Sequence, residues 1–297
     1  MTTITAQVVA DSEAEGHRFT TMVLRYPRFV HEELLMYGTF ARSCASSRAK
    51  PTAKWLGEIE SDPAKPIFWT KNQKGMQGEP FDCDAADLHW EDARDAAVQY
   101  ADALRAYDVH KQDANRLLHP FQHIDVVLSG TQRSYMNLFS QRLHEDAMPT
   151  FRALAWQMAE AYFSSKPEEL APHDWHLPFV TKSERTLFKD EVVRRFSAAR
   201  CARTSYSNHD GSDPDHLKDM ELFNKLASRK KGEWNPVHGN PLEHQVKFRK
   251  DCGGRFGDWV SFRTAFGATF EPFDEEKWRR YRAKIAEELG ITLQSTP

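Results

Sequence analysis

From Ala41 to Pro51 the chain reads ARSCASSRAKP, with no large apolar side chain after Phe40. Arg42, Ser43, Ser46, Ser47, Arg48 and Lys50 bring hydroxyls, accessible backbone N–H groups and cationic heads into one short stretch. Such groups suit a phosphate: N–H and O–H donate to its oxygens, and a guanidinium fork meets two at once. The same residues also describe an ordinary solvated loop, and they alone do not choose between the two. A second grouping is Arg133, Asn137 and Arg142. Helix positions four apart are neighbours, so Arg133 and Asn137 can reach one ligand together. On spacing alone, a solvated face with a salt bridge is the simpler account. Arg203 with Ser205, and the turn HGNPLEH, are the remaining polar groupings.

Other chemistries find less support. His119 and His123 are four apart but separated by Pro120, and His238 and His244 are six apart, which is not an HExxH pair. NHDGSDPD lacks the glycine position of a calcium loop, so a metal site is compatible with composition but not with spacing. No GxSxG is present, and GGRFG is not the dinucleotide-binding GxGxxG. Cys44, Cys83, Cys201 and Cys252 form no CxxC pair, which fits free thiols in a reducing cytoplasm. A net charge of −3 does not advertise polymeric nucleic acid as a partner, so any anion site must be local. No apolar run is long enough for a membrane helix, and MTTITAQVVADSEAEG lacks a signal pattern.

The elements that position these groups follow from periodicity. Residues 3–9 and 19–24 alternate as strands joined by EAEGHR. Pro27 suits the first turn of a short helix with Val30, Leu34, Leu35 and Met36 on its apolar side and Gly38 as its stop. A helical turn is expected over 55–59, then a Pro- and Gly-punctuated loop. Helices are expected over 85–107, with Leu88, Leu104 and Tyr107 recurring, and over 109–118, stopping before Pro120. After the apolar run 124–128, Thr131 or Ser134 caps a helix. Pro149 begins another, whose Phe151, Leu154, Ala155, Met158 and Tyr162 share a face. SSKPEELAPHDWHLP reads as a connector between subdomains. Helical signals return over 196–205 and 217–226, and HQVKF ends a turn-rich segment as a strand. A last helix over 274–289 sets Trp278, Tyr281, Ile285 and Leu289 on one side, with Gly290 as its stop.

Several segments, taken in order, resemble the flavin-dependent thymidylate synthases: RYPRFVHEELL…FARSCASSRAKP, NQKGMQG, HKQDANRLLHPF, QRSYMNLFSQRLHEDAMPTFRALA, SAARCARTSYSNHDG, GNPLEHQ and FGDWVSFR. They span nearly the whole chain and look like the phage-type variant, in which motifs usually N-terminal stand near the C-terminal end. The resemblance implies an α/β (α+β) fold, a curved mixed sheet flanked by long helices. It implies one domain over 1–297: a core with the nucleotide loop over 1–165, permuted flavin and nucleotide motifs over 195–270, and a C-terminal helix over 273–290. It implies a homotetramer with active sites between subunits. The implied reaction is one-carbon transfer from 5,10-methylenetetrahydrofolate to C5 of a pyrimidine deoxynucleotide monophosphate, dUMP by default. The resemblance also implies that FAD is reduced by NADPH and that no cysteine nucleophile is used.

Residue by residue, Arg142 falls on the family's arginine that holds and activates the pyrimidine. Ser46, Ser47 and Arg48 fall on the nucleotide-phosphate loop. Arg133, Asn137, His238, Asn240 and Ser205 fall on cofactor-binding positions. Departures accompany these matches. The family's Arg-His-Arg trio is Met36, Tyr37 and Gly38 here, and Ala41, Ser43 and Cys44 replace a serine and an Asn-Glu pair. Loss of the trio's charges predicts FAD bound substoichiometrically. A further nucleotide-binding arginine aligns with Asp125, which leaves Arg42 and Lys50 as candidate substitutes. Two alternatives stay open: a dUMP or dCMP hydroxymethylase, which needs no hydride, and a nucleotide-binding or assembly protein without catalysis.

Overall fold

The computed structural model describes residues 2–46, 48, 50–74, 78–171, 173–204, 213–227, 240–265, 279, 282–284 and 286–288. Strands β1 (Thr5–Ala14) and β2 (His17–Pro27) form an antiparallel hairpin, each longer than the alternation 3–9 and 19–24 indicates. Its two-residue turn places Glu15 at φ 49° and Gly16 at φ 79°, the mirror-image turn whose twist matches a hairpin. A 3-10 turn (Arg28–Val30) leads into α1 (His31–Leu35). Val30 and Leu34 are buried as the spacing requires, but Met36 is 77% exposed and Leu35 also faces water. The apolar side is therefore narrower than the sequence reading. The stretch after Phe40 is not all loop either: Ala41–Cys44 is strand β3.

Next come α2 (Thr52–Ser61), a small ribbon of β4 (Trp69–Thr70) and β5 (Pro80–Phe81), and the long α3 (Asp84–Ala106). Leu88 and Tyr107 face solvent, and Ala101 is the buried position of α3. The expected second helix is α4 (Lys111–Ala114) continued as a 3-10 helix, Asn115–Phe121, which runs through Pro120 instead of stopping before it. Strand β6 (His123–Thr131), α5 (Gln132–Arg142), α6 (Pro149–Ser164) and β7 (Glu168–Glu169) complete the first half. The main sheet is mixed, in the order β3-β6-β2-β1-β7, with only β7 parallel to its neighbour.

Alternation divides that sheet into two faces. Met22, Leu24 and Tyr26 of β2 and Ile124, Val126 and Leu128 of β6 pack against Tyr135 and Leu138 of α5. Phe151, Leu154, Ala155, Met158 and Tyr162 of α6 join them, the face that the spacing predicts.

The other face is covered by the second half of the chain: β8 (Trp175–His176), α7 (Lys182–Leu187), α8 (Asp190–Arg203), α9 (His216–Ala227), a 3-10 turn (Asn240–Glu243), β9 (Val246–Phe248), β10 (Trp259–Ser261) and α10 (Phe262–Ala265). A line of side chains joins this layer to the sheet. Ser12 Oγ meets His176 Nδ1 at 2.9 Å, and His176 Nε2 meets Thr21 Oγ1 at 2.7 Å. Thr21 Oγ1 and Ser129 Oγ, on directly paired residues, are 2.6 Å apart. Ser129 Oγ meets His244 Nδ1 at 2.7 Å, and His244 Nε2 reaches Ser43 Oγ at 3.0 Å. Within the layer, fully buried Arg200 donates to Glu184 through both Nη atoms, at 3.0 and 2.6 Å, and through Nε to Asp219 at 2.9 Å. The expected helix over 274–289 lies outside the described residues at Trp278, Tyr281, Ile285 and Leu289.

Burial lowers both relay histidines to a pKa of about 3. The folded protein holds them neutral, whereas the unfolded chain accepts protons below 6.5. Their contribution is thus intact above pH 6.5 and is lost as pH falls toward 3, at up to about 1.4 kcal/mol per pH unit for each histidine. Urea melts across this range should show stability falling with acidification, and His244→Gln should flatten the slope. A slope unchanged by that variant would exclude the relay as its source.

Candidate active site

The core builds one end of the site. β6 delivers Thr131, whose Oγ1 accepts from the Ser134 N–H at 3.3 Å and caps α5, as the sequence indicates. Gly130 precedes it where a Cβ would lie 2.6 Å from Phe40 Cδ1, so the ring seats directly on the strand backbone. Beyond this cap opens a cavity of about 940 Å³. Arg133 and Asn137 line it from one face of α5, His17 and Thr39 from the sheet side, and Arg255 and Trp259 from the C-terminal half. Arg133 has no acidic partner among the described residues, whereas Arg18, also on the wall, is held by Asp11 through two bonds at 2.9 and 2.6 Å.

Arg255 ties the second half to this site. Its Nε donates to Gly38 O at 3.1 Å, its Nη2 to Phe40 O, and its Nη1 to Glu243 Oε2 at 2.8 Å. A guanidinium from the C-terminal half thus reaches the backbone where the resembling family carries the last arginine of its trio. The sequence reading missed it, because contact between residues 38 and 255 has no local signal.

Arg142 lies elsewhere. At the C-terminal end of α5 it does not line the cavity. Its Nε donates to Tyr37 Oη at 2.8 Å, its Nη1 pairs with Glu33 at 3.0 Å, and its guanidinium stacks 4.9 Å from the centre of the Phe151 ring. Tyr37 Oη in turn donates to Gln141 Oε1 at 2.9 Å. Nη2 has no partner among the described residues, so two N–H donors of a fixed guanidinium remain for a ligand. Burial pushes the Glu33 carboxyl up, against the opposing pull of Arg142.

Ser46 and Arg48 follow β3 on exposed backbone, joined by a long 3.4 Å bond from the Arg48 N–H to Ser46 Oγ. Neither lines the cavity, nor does Asn240, exposed at the start of its 3-10 turn. Ser47, Ser205 and His238 lie outside the described residues. Both proposed substitutes for Asp125 are otherwise engaged. Arg42 Nη1 donates to the carbonyls of Leu34, Leu35 and Tyr37, closing the end of α1. Lys50 pairs with Glu58 at 2.8 Å and sits over the Trp55 ring. Asp125 itself pairs with Arg25 at 3.3 Å, and Arg25 also reaches Asp62 at 3.1 Å, so the acid is part of an ion-pair cluster within the fold.

A family model described as thymidylate synthase complementing protein matches residues 7–168, more than half of the 297-residue chain. The chain belongs to that family. Membership makes it a methyltransferase-like enzyme of pyrimidine nucleotide one-carbon transfer. Among solved structures, the chain is similar to a UMP/dUMP methylase PolB from Streptomyces cacaoi bound with 5-Br UMP, with a TM-score of 0.47 and 16% identity. That alignment covers 55% of this chain and 89% of the other. The same methylase bound with 5-Br dUMP gives a TM-score of 0.43 and 14% identity over 54% and 90% of the two chains. No curated protein matches.

This thymidylate synthase complementing protein family member has a cavity suited to the flavin its family implies. The α5 N-terminus and Arg133, which has no acidic partner among the described residues, give its wall a positive end that would suit the diphosphate of such a group. Asp258, the carboxylate among the described lining residues, already faces His17 Nδ1 at 3.9 Å. Tyr37→Phe removes the acceptor that fixes Arg142 Nε. We expect kcat to fall about 10-fold and the melting temperature to drop by only a few degrees, since the variant loses two hydrogen bonds, to Arg142 and Gln141, each worth about 1 kcal/mol. Unaltered steady-state kinetics would show that Arg142 needs no such anchor.

Proposed function

We propose that the protein transfers a one-carbon unit from 5,10-methylenetetrahydrofolate to C5 of dUMP, with FAD and NADPH, yielding dTMP. The observation that carries this reading is Arg142: a guanidinium clamped by Tyr37, Glu33 and Phe151, with Nη2 left for a ligand. Such a group, placed at the N3/O2 edge of a pyrimidine, stabilises the negative charge that develops as C5 becomes nucleophilic. Because it is already immobilised, little reorganisation remains when that charge appears. Ser46 and Arg48 supply phosphate donors from the exposed turn after β3.

Arg133 and Asn137 would hold the flavin from the cavity wall, with Arg255 opposite. When bound and reduced, FAD supplies the hydride that turns a transferred methylene into a methyl group. Arg255 holds the backbone at Gly38 and Phe40 through bonds that engage all three of its nitrogens, so the flavin contacts in this reading fall to Arg133 and Asn137. In this reading the active protein is a homotetramer, and its motifs follow the phage-type order.

C5 substitution releases the hydrogen at that carbon. Protein incubated with 5-tritiated dUMP, methylenetetrahydrofolate, FAD and NADPH should therefore release tritium to water. Arg142→Ala should slow the release at least ~100-fold, the loss typical of removing one transition-state donor, while the nucleotide still binds. Wild-type protein that releases no tritium, or a variant as fast as wild type, would contradict the assignment.

A further inference from the structure

A second cavity, of about 420 Å³, adjoins the first on the side of the C-terminal half. Gly254, Arg255, Phe256 and Trp259 line both. Phe256 and Trp259 are fixed by packing on Phe19 of β2, each ring centre 5.5 Å from that of Phe19. Gly254 contributes only backbone to the shared lining, and nothing lies within 4 Å of where its Cβ would stand. No side chain closes the boundary between the two spaces at that point.

Beyond the shared wall, the second cavity is bounded by Glu243, Arg263 and the hydroxyls of Ser261 and Thr264. Glu243 is the one carboxylate among its described lining residues, and it accepts from Arg255 Nη1 at 2.8 Å and also from Arg263 Nη1. Two guanidiniums on one carboxylate leave the wall with a net positive charge. Ser261 Oγ and Thr264 Oγ1, 3.2 Å apart, add neutral hydrogen-bonding groups. Positive charge, hydroxyls and two aromatic rings around a space of this size suit a nucleotide rather than an apolar ligand. Position decides which nucleotide. Reacting atoms must approach to about 3.5 Å, so every reactant that meets the flavin needs space contiguous with it. The pyrimidine and its one-carbon donor must also meet each other at Arg142, at the opposite end of α5 from the Thr131 cap. The reductant needs only the flavin, which frees it to occupy the far side.

We propose that this second cavity binds the nicotinamide nucleotide of the reductant, with Arg263, Ser261 and Thr264 holding its polar groups and Phe256 and Trp259 forming the wall it shares with the flavin cavity. The inference rests on the function proposed above. It gives the C-terminal half, which lies beyond the family match, its own part in the reaction: admission of the hydride donor.

Calorimetric titrations with NADP+, which binds as the reductant does but cannot reduce flavin, test this on wild type, Thr264→Asp and Val260→Trp. Both positions line the second cavity and not the first. The aspartate brings a like charge to an anionic ligand, and the indole fills the space. Thr264 is exposed and Val260 half-buried, so the core stays intact, and circular dichroism melts check both folds. NADP+ should lose about 10-fold or more in affinity in both variants, with FAD affinity unchanged. Wild-type NADP+ affinity in both variants, or no NADP+ binding by the wild type, would overturn the site. So would variants that weaken FAD or methylenetetrahydrofolate in place of NADP+. Tritium release from 5-tritiated dUMP with dithionite-reduced FAD would in those cases leave the proposed reaction standing. Weakened NADP+ in a protein that releases no tritium even with reduced FAD would support the cavity's role and count against the reaction.

Discussion

The line Ser12–His176–Thr21–Ser129–His244–Ser43 is what the rest of the structure depends on. It crosses the sheet on the face opposite the apolar core and fastens both halves of the chain together. Hydroxyls on that face of β2, β6 and β3 would be costly if covered by apolar side chains alone. Two neutral imidazoles satisfy them, because each ring offers one donor and one acceptor. The arrangement fixes position as well as satisfying polarity: His244 immediately follows the turn carrying Glu243, which pairs with Arg255 and Arg263. Placing His244 therefore also places Arg255 over Gly38 and Phe40, on the cavity wall. The region after residue 168 lies beyond the family match, yet it closes the site.

Charge is distributed with equal economy. Arg18, Arg25, Arg42 and Lys50 are engaged by carboxylates or carbonyls and act as scaffold. Among the described residues, Arg133 has no acidic partner and Arg142 Nη2 has no hydrogen-bond partner. Arg142 shows how one residue serves both purposes: two of its nitrogens lock it and the third has no partner among the described residues. Tyr37, standing where the family has histidine, provides one of those locks, so a substitution that reads as a loss in sequence is a structural anchor in the fold.

The sequence made the local elements legible wherever burial follows periodicity. The α6 face, the Thr131 cap and the β1–β2 pair were all readable because their partners are uniform apolar surfaces or near neighbours. Boundaries shifted where tertiary pairing overrode composition. Ala41–Cys44, small and polar, is a strand because β6 offers its edge. Leu88 and Tyr107 kept helical spacing on α3 yet face solvent. In the site, Arg133 and Asn137 could be paired from spacing alone. Arg255 and the histidine relay could not, since their contacts join residues that sequence separation hides. Arg142 was recognised through the motif it matches, but its separation from the Arg133 cavity follows from helix geometry, nine residues being two and a half turns.

The central claim is reductive one-carbon transfer to C5 of a pyrimidine nucleotide, and the mass of the product tests it most directly. Protein would be supplied with dUMP and methylenetetrahydrofolate, with FAD and NADPH each omitted in turn, and the nucleotides analysed by mass spectrometry. The account predicts a methylated nucleotide that forms only when both FAD and NADPH are present. A hydroxymethylated nucleotide formed without NADPH would contradict it.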